Sequence, residues 1–172
     1  MKVAIYGQNY IKDTTQKAVE KLLDFLLEKE AAVFFESDFI KTQNSAIQNS
    51  SVVRTFDKLD HSFDLLISVG GDGTILRAIT FVRDLGIPIV GINTGRLGFL
   101  ATIQMDEIES AMVAILKGDY KISERSLLSV STEPTNNDIV ETHFALNEIA
   151  LSRKNTTSMI TVETHLNDEY LT

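Results

Sequence analysis

The sequence predicts an α/β fold, with a parallel-sheet domain over residues 1–118 and the beginning of an antiparallel β domain over residues 119–172. Three observations lead there. Up to Gly118, short apolar runs of strand length alternate with segments of helical period, the pattern of a parallel sheet with crossover helices. Leu65-Leu66-Ile67-Ser68-Val69 is apolar at nearly every position, as a strand covered on both faces should be. From Tyr120 the helical period disappears, and extended runs separated by turn residues take over.

Val3–Tyr6 reads as a short buried strand ended by Gly7, and Asp13-x-x-Gln16 as a capping box that opens a helix. Ala18, Val19, Leu22, Leu23, Leu26 and Leu27 give that helix a broad apolar face opposite Lys17, Glu20, Lys21, Asp24 and Glu28. Ala31–Phe35 is a second strand, and the polar stretch Thr42–Ser51 is a surface loop or weak helix with room for mobility. Phe63–Val69 leads into the central strand. Ile75–Leu85 is a helix closed by Gly86, and Ile87–Ile92 is the next strand, so that strand, helix and strand form a parallel crossover. Met105–Lys117 is an amphipathic helix stopped by Gly118. This first domain is therefore Rossmann-like. Beyond it, Tyr120–Thr132, Ile139–Ser152 and Ser158–Leu166 are extended runs, with turns at Pro134–Asp138, Lys154–Thr157 and Asn167-Asp168. So few strands make a thin, unfinished sheet, and the chain is expected to be part of a longer protein.

Most of the functional information lies in Gly70-Gly71-Asp72-Gly73-Thr74, between the central strand and the following helix. Such junctions bind phosphates, because glycines admit backbone N–H groups close to an anion and the helix contributes unpaired donors and the positive end of its dipole. Gly70, Gly71, Gly73 and Thr74 form the expected phosphate loop. A carboxylate beside a phosphate is repelled by it, so Asp72 is read as acting on a neighbouring hydroxyl or divalent metal, which points to phosphoryl transfer. The competing reading makes Asp72 the cap of a helix starting at Gly73 or Thr74. A second glycine-bearing loop, Asn93-Thr94-Gly95-Arg96-Leu97-Gly98-Phe99-Leu100, follows the next strand at the same sheet edge, so both loops face one crevice.

The 172 residues carry 16 Lys and Arg against 24 Asp and Glu, a net charge of −8, which argues against nucleic acid or an acidic membrane as partner. An anionic ligand must then be held locally. The absence of cysteine excludes a disulfide frame, a thiolate metal site and a cysteine nucleophile. With neither a signal-peptide pattern nor a bilayer-length apolar run, a cytoplasmic location is expected. His61, His143 and His165 lack metal-ligand spacing.

With both loops in view, the sequence resembles the NAD kinase family. The Gly-Gly-Asp-Gly-Thr motif is shared with diacylglycerol-type lipid kinases and phosphofructokinases, whereas the loop Asn93–Leu100 and a third motif, Ala145-Leu146-Asn147-Glu148, are similar to NAD kinase signatures. The resemblance implies ATP-dependent phosphorylation of the 2′-hydroxyl on the adenosine ribose of NAD, giving NADP, with Mg²⁺ or another divalent ion assisting. Asp72 is then the general base, and Gly71 and Gly73 admit the nucleotide close to backbone. Arg77 turns back toward the phosphates, unless it is a solvated helix charge. Phe99 lines the adenine pocket, unless it is a core residue. Asn147 and Glu148 hold ribose hydroxyls or the nicotinamide end, unless they are the solvent-facing residues of an alternating strand. Leu100 stands where some members carry Tyr. The family's downstream Thr-Gly-Ser-Thr-Ala-Tyr loop does not occur in this chain, so residues 1–172 alone are expected to be inactive or to bind NAD poorly. Homo-oligomers joined through the β domain are implied as well. The rivals are a lipid or sphingoid-base kinase and a non-catalytic nucleotide-binding or assembly module.

Overall fold

The structure is a computed structural model and describes residues 1–9, 12–140, 142–154, 157 and 159–171. Two compact units divide the chain, Met1–Ser126 and Leu127–Thr172. The first therefore runs past Gly118, where the domain boundary was expected. Asp119 explains why the chain does not leave at the glycine: its N–H donates back to the carbonyl of Ala114 at 2.9 Å and folds it onto the preceding helix.

The first unit contains β1 (Lys2–Gly7), α1 (Asp13–Glu28), β2 (Ala32–Glu36), α2 (Ser45–Gln48), β3 (Val53–Phe56), β4 (Leu65–Gly70), α3 (Asp72–Val82), β5 (Ile89–Asn93) and α4 (Ile108–Leu116). The strands form one parallel sheet in the order β3-β2-β1-β4-β5. Alternate residues feed two cores. Val3 and Ile5 of β1 and Leu65, Ile67 and Val69 of β4 pack with Val19, Leu22 and Leu26 of α1 and Ile108 and Met112 of α4. Ala4, Tyr6 and Leu66 face the other way, toward Ala78 and Val82 of α3 and the rings of Phe56 and Phe63. The sheet is thus covered on both faces, which is why β1 and β4 are apolar without alternation. Each large side chain so buried contributes about 1.5–3 kcal/mol.

Several elements differ from the sequence-based expectation. No capping box opens α1: Asp13 is its first residue, Lys12 is the N-cap, and no side chain caps it. The polar stretch 42–51 is anchored, for Ile47 and Gln43 are buried and the Asn44 side chain caps α2 by accepting from the N–H of Ile47 at 2.9 Å. Strand β3 was not anticipated, because Arg54 and Thr55 are exposed and only Phe56 at its end is buried. Helix α4 starts at Ile108, three residues after Met105, and Leu116 is exposed.

The second unit holds less regular structure than its extended runs suggested. Leu128–Ser129 (β6) pairs antiparallel with Phe144–Ala145 (β7), Asn137–Val140 is a short helix (α5) where a turn was expected, and Thr164–Leu166 (β8) pairs with Glu169–Leu171 (β9). Asn167 and Asp168, both at positive φ, make the two-residue turn of that last hairpin, as their residue types predict. The expected turn at 154–157 falls partly on Asn155 and Thr156, and the run from 158 begins on Ser158, all outside the described residues.

Candidate functional site

The carboxyl ends of β1 and β4 lie side by side, with Gly7 opposite Val69, and Gly70 lies opposite Asn93 of β5. From there β1 leads to α1 on one face and β4 leads to α3 on the other. This divergence is the topological switch point, where doubly wound sheets leave a crevice.

The glycines of the first loop do different work. A Cβ on Gly70 would collide with the Thr74 hydroxyl and lie 2.9 Å from the Thr74 Cβ, so this position serves the packing of the buried Thr74. Gly7 is similarly closed off by the Phe39 ring. Gly71 and Gly73 are not. Among the described residues nothing lies within 4 Å of a Cβ at Gly71, whose φ is −109°, and at Gly73 the nearest atom is Nε2 of Gln8 at 3.9 Å. Neither sterics nor backbone conformation excludes a side chain at Gly71, and inside α3 alanine would be favoured over Gly73 by about 1 kcal/mol. Contacts within the described residues therefore do not explain why glycine stands at these two positions.

Asp72, between them, does not cap its own helix; Gly71 is the N-cap and no side-chain cap is made. Its carboxylate reaches the second loop instead. Oδ2 accepts from the N–H of Phe99 at 2.8 Å, and Oδ1 accepts from those of Leu100 and Ala101, each at 2.9 Å. These amides, Ala101 first, hold the carboxyl below its ordinary range against a small opposing effect of burial.

The second loop is also held from inside. Buried Asn93 donates through Nδ2 to the carbonyls of Arg96 at 2.7 Å and Ala101 at 3.2 Å, and its Oδ1 accepts from the N–H of Gly95 at 2.8 Å. Thr94 donates its N–H to the carbonyl of Gly70 at 3.1 Å, and its hydroxyl lies 3.2 Å from that of Thr15 on α1. Gly91 lets the returning chain close on β5, for a Cβ there would come 2.7 Å from the Ala101 Cα.

Of the other expected site residues, Phe99 is not in the core: its ring is 95% exposed on a backbone tethered by Asp72. Arg77 is paired with a side chain rather than simply solvated. It sits beside the Tyr6 hydroxyl and partly offsets the rise that burial imposes on that phenol. Asn147, in a bend past β7, and Glu148, just beyond it, are exposed in the second unit, so the extended run expected over Ile139–Ser152 does not carry them as a strand. Among the described residues no group of three or more His, Asp or Glu side chains is arranged to hold a metal. Sequence reasoning did not single out Asn93, Gly98 or Gln8. Asn93 carried a signal all the same, as a polar side chain ending an apolar strand must find buried partners.

Fold and site together define a doubly wound α/β protein with glycine-rich loops gathered at its switch point. Residues 5–120 match the ATP-NAD kinase N-terminal domain, and the chain belongs to the NAD kinase family. The NAD kinase of Christiangramia forsetii is 50% identical over 175 residues, spanning 100% of this chain and 59% of that protein. That of Flavobacterium psychrophilum is 48% identical over 177 residues, spanning 99% of this chain and 59% of its own length. The chain therefore corresponds to 59% of the length of these relatives. A crystal structure of yeast NADH kinase complexed with NADH shares the fold, with a TM-score of 0.59 at 21% identity over 75% of this chain and 41% of that one.

Proposed function

We propose that the protein to which this chain belongs is an NAD kinase, transferring the γ-phosphoryl group of ATP to the 2′-hydroxyl of the adenosine ribose of NAD to give NADP and ADP. One observation carries the reading: Asp72 is flanked by two glycines, 71 and 73, whose Cβ positions face open space at the switch point. In that space a ribose or pyrophosphate approaches the backbone closely, and the amino end of α3 favours its negative charge.

A carboxylate has about four acceptor sites, and the second loop occupies three on Asp72. The remaining capacity orients the attacking hydroxyl. As the new O–P bond forms and the bond to ADP breaks, the hydroxyl proton passes to Asp72 and then to solvent. A lowered pKa suits late transfer, when the bonded hydroxyl has become acidic. A divalent ion would enter with the ATP phosphates and would help neutralise the charge on the transferred group. Exposed Phe99 supplies an aromatic face for adenine, and Asn147 and Glu148 are assigned to the ribose and nicotinamide end. Arg77 is assigned to the phosphates. Cytoplasmic homo-oligomers, and little or no turnover by residues 1–172 alone, belong to the same reading.

The test is NADP formation from NAD and ATP by the whole protein, with NADH and diacylglycerol as competing acceptors. Asp72→Asn is expected to lower turnover by about 10²–10⁴. Undiminished turnover would remove Asp72 from the chemistry, and phosphorylation of diacylglycerol alone would favour the lipid-kinase reading. A module that binds NAD but never turns it over would be a sensor.

A further inference from the structure

We infer that Asp72 is a positioning residue as well as a reacting one: by gathering the amides of Phe99, Leu100 and Ala101, it sets the conformation of the second loop and thereby the affinity of the crevice for nucleotide. The nucleotide clause rests on the NAD kinase reading; the clamp itself does not.

Three features make the clamp more than an incidental contact. The donors are consecutive backbone groups 27 to 29 residues away from the carboxylate. Successive backbone N–H groups form a concavity suited to an anion, and the two oxygens of the carboxylate divide the three donors between them. Gly98 has no Cβ where the carboxylate needs room, for an atom built there lies 2.6 Å from Oδ2. And the clamp complements Asn93, which holds Gly95, Arg96 and the carbonyl of Ala101: the two meet at Ala101, whose N–H Asp72 takes, and Asp72 alone of the two bonds Phe99 and Leu100. Asp72 is the side chain that bonds the Phe99 and Leu100 amides, and so the one whose loss frees the backbone carrying the Phe99 ring.

An asparagine at 72 has nearly the same shape. It offers one acceptor oxygen, and its amide group turns donors toward donors. Neutralising the charge therefore releases the loop even though the side chain still fits.

Amide hydrogen exchange of the whole protein in the absence of nucleotide, resolved by residue, tests the clamp. Asp72→Asn is expected to speed exchange at Phe99 and Leu100 by about ten- to a hundredfold while Ile67 in β4 is unchanged. Gly98→Ala is expected to do the same where Asp72 is present and to add nothing in an Asp72→Ala background, where the new methyl group has space. Unchanged exchange at 99–101 in Asp72→Asn overturns the proposal. If that variant loses protection everywhere, Gly98→Ala decides, with selective loss at 99–101 supporting the clamp and no loss overturning it. In the whole protein, a positioning role raises KM for NAD along with lowering kcat, whereas a base alone lowers kcat with KM unchanged. Should the native protein bind no NAD, the functional reading fails while the exchange result stands.

Discussion

Gly98 and Asp72, from two loops 26 positions apart, occupy complementary space: a Cβ on the glycine would sit 2.6 Å from the carboxylate Oδ2. Gly98→Ala must therefore displace the carboxylate, move the loop backbone, or both. Overpacking of this kind typically costs about 1–3 kcal/mol. A lower melting temperature is expected, together with weaker NAD binding by the whole protein, and calorimetry with a binding titration would check both. A variant as stable as the native chain would mean that the loop shifts freely.

Gly71→Ala should behave in the opposite way. With an extended φ of −109° and no atom of the described residues within 4 Å of its Cβ, the substitution is expected to cost the fold nothing. It stiffens the unfolded chain, so stability is expected to hold or to rise by about 0.4–1 kcal/mol. Nucleotide affinity should nevertheless fall, because the methyl group stands where a phosphate or ribose approaches. A stable Gly71→Ala protein with native affinity would show that the ligand lies elsewhere.

The sequence made these glycines visible without telling them apart. The first loop stands out because the uninterrupted apolar run Leu65–Val69 of a fully buried strand ends abruptly in glycine, and the second because glycines at 95 and 98 follow the apolar residues of β5. The partner of Asp72 is not legible that way, since its donors are backbone groups and backbone donors have no residue signature. Strand β3 escaped notice for a related reason: as an edge strand pairing only with β2, it keeps Arg54 and Thr55 in solvent. In the second unit, Leu151, Met159 and Ile160 are exposed, so an apolar stretch there does not report a buried strand. Asn147 and Glu148 were misplaced on a strand by that pattern.

Ser68 offers a test of the sheet itself. Its hydroxyl is buried in the middle of β4, between Tyr6 and Gly91 in register, and has no hydrogen-bond partner among the described residues. A buried polar group left unpaired is destabilising, and removing it restores that loss. Ser68→Ala is expected to raise stability by about 1 kcal/mol in denaturant unfolding. A loss of stability would show that the hydroxyl is bonded in solution.

The acid dependence of the clamp follows from the direction of the Asp72 shift. Three amides favour the ionised form, so the folded carboxyl titrates below the unfolded value of about 3.9. A group lowered in this way contributes its stabilisation fully above the unfolded value and loses it as pH falls through the folded one. From neutral pH down to about 4 the loop should therefore stay clamped. Further acidification protonates the carboxylate, leaves the amides of Phe99, Leu100 and Ala101 without their shared acceptor, and frees the loop while the apolar cores on either side of the sheet remain. The Asp72 carboxyl carbon and those three amide protons should titrate together by NMR, with a single midpoint below that of a free aspartate. In the whole protein, the acid limb of kcat/KM should follow the same midpoint. A carboxyl titrating near pH 6–7, as in some general bases, would contradict the clamp, because it would mean that burial outweighs the three amides on this carboxylate.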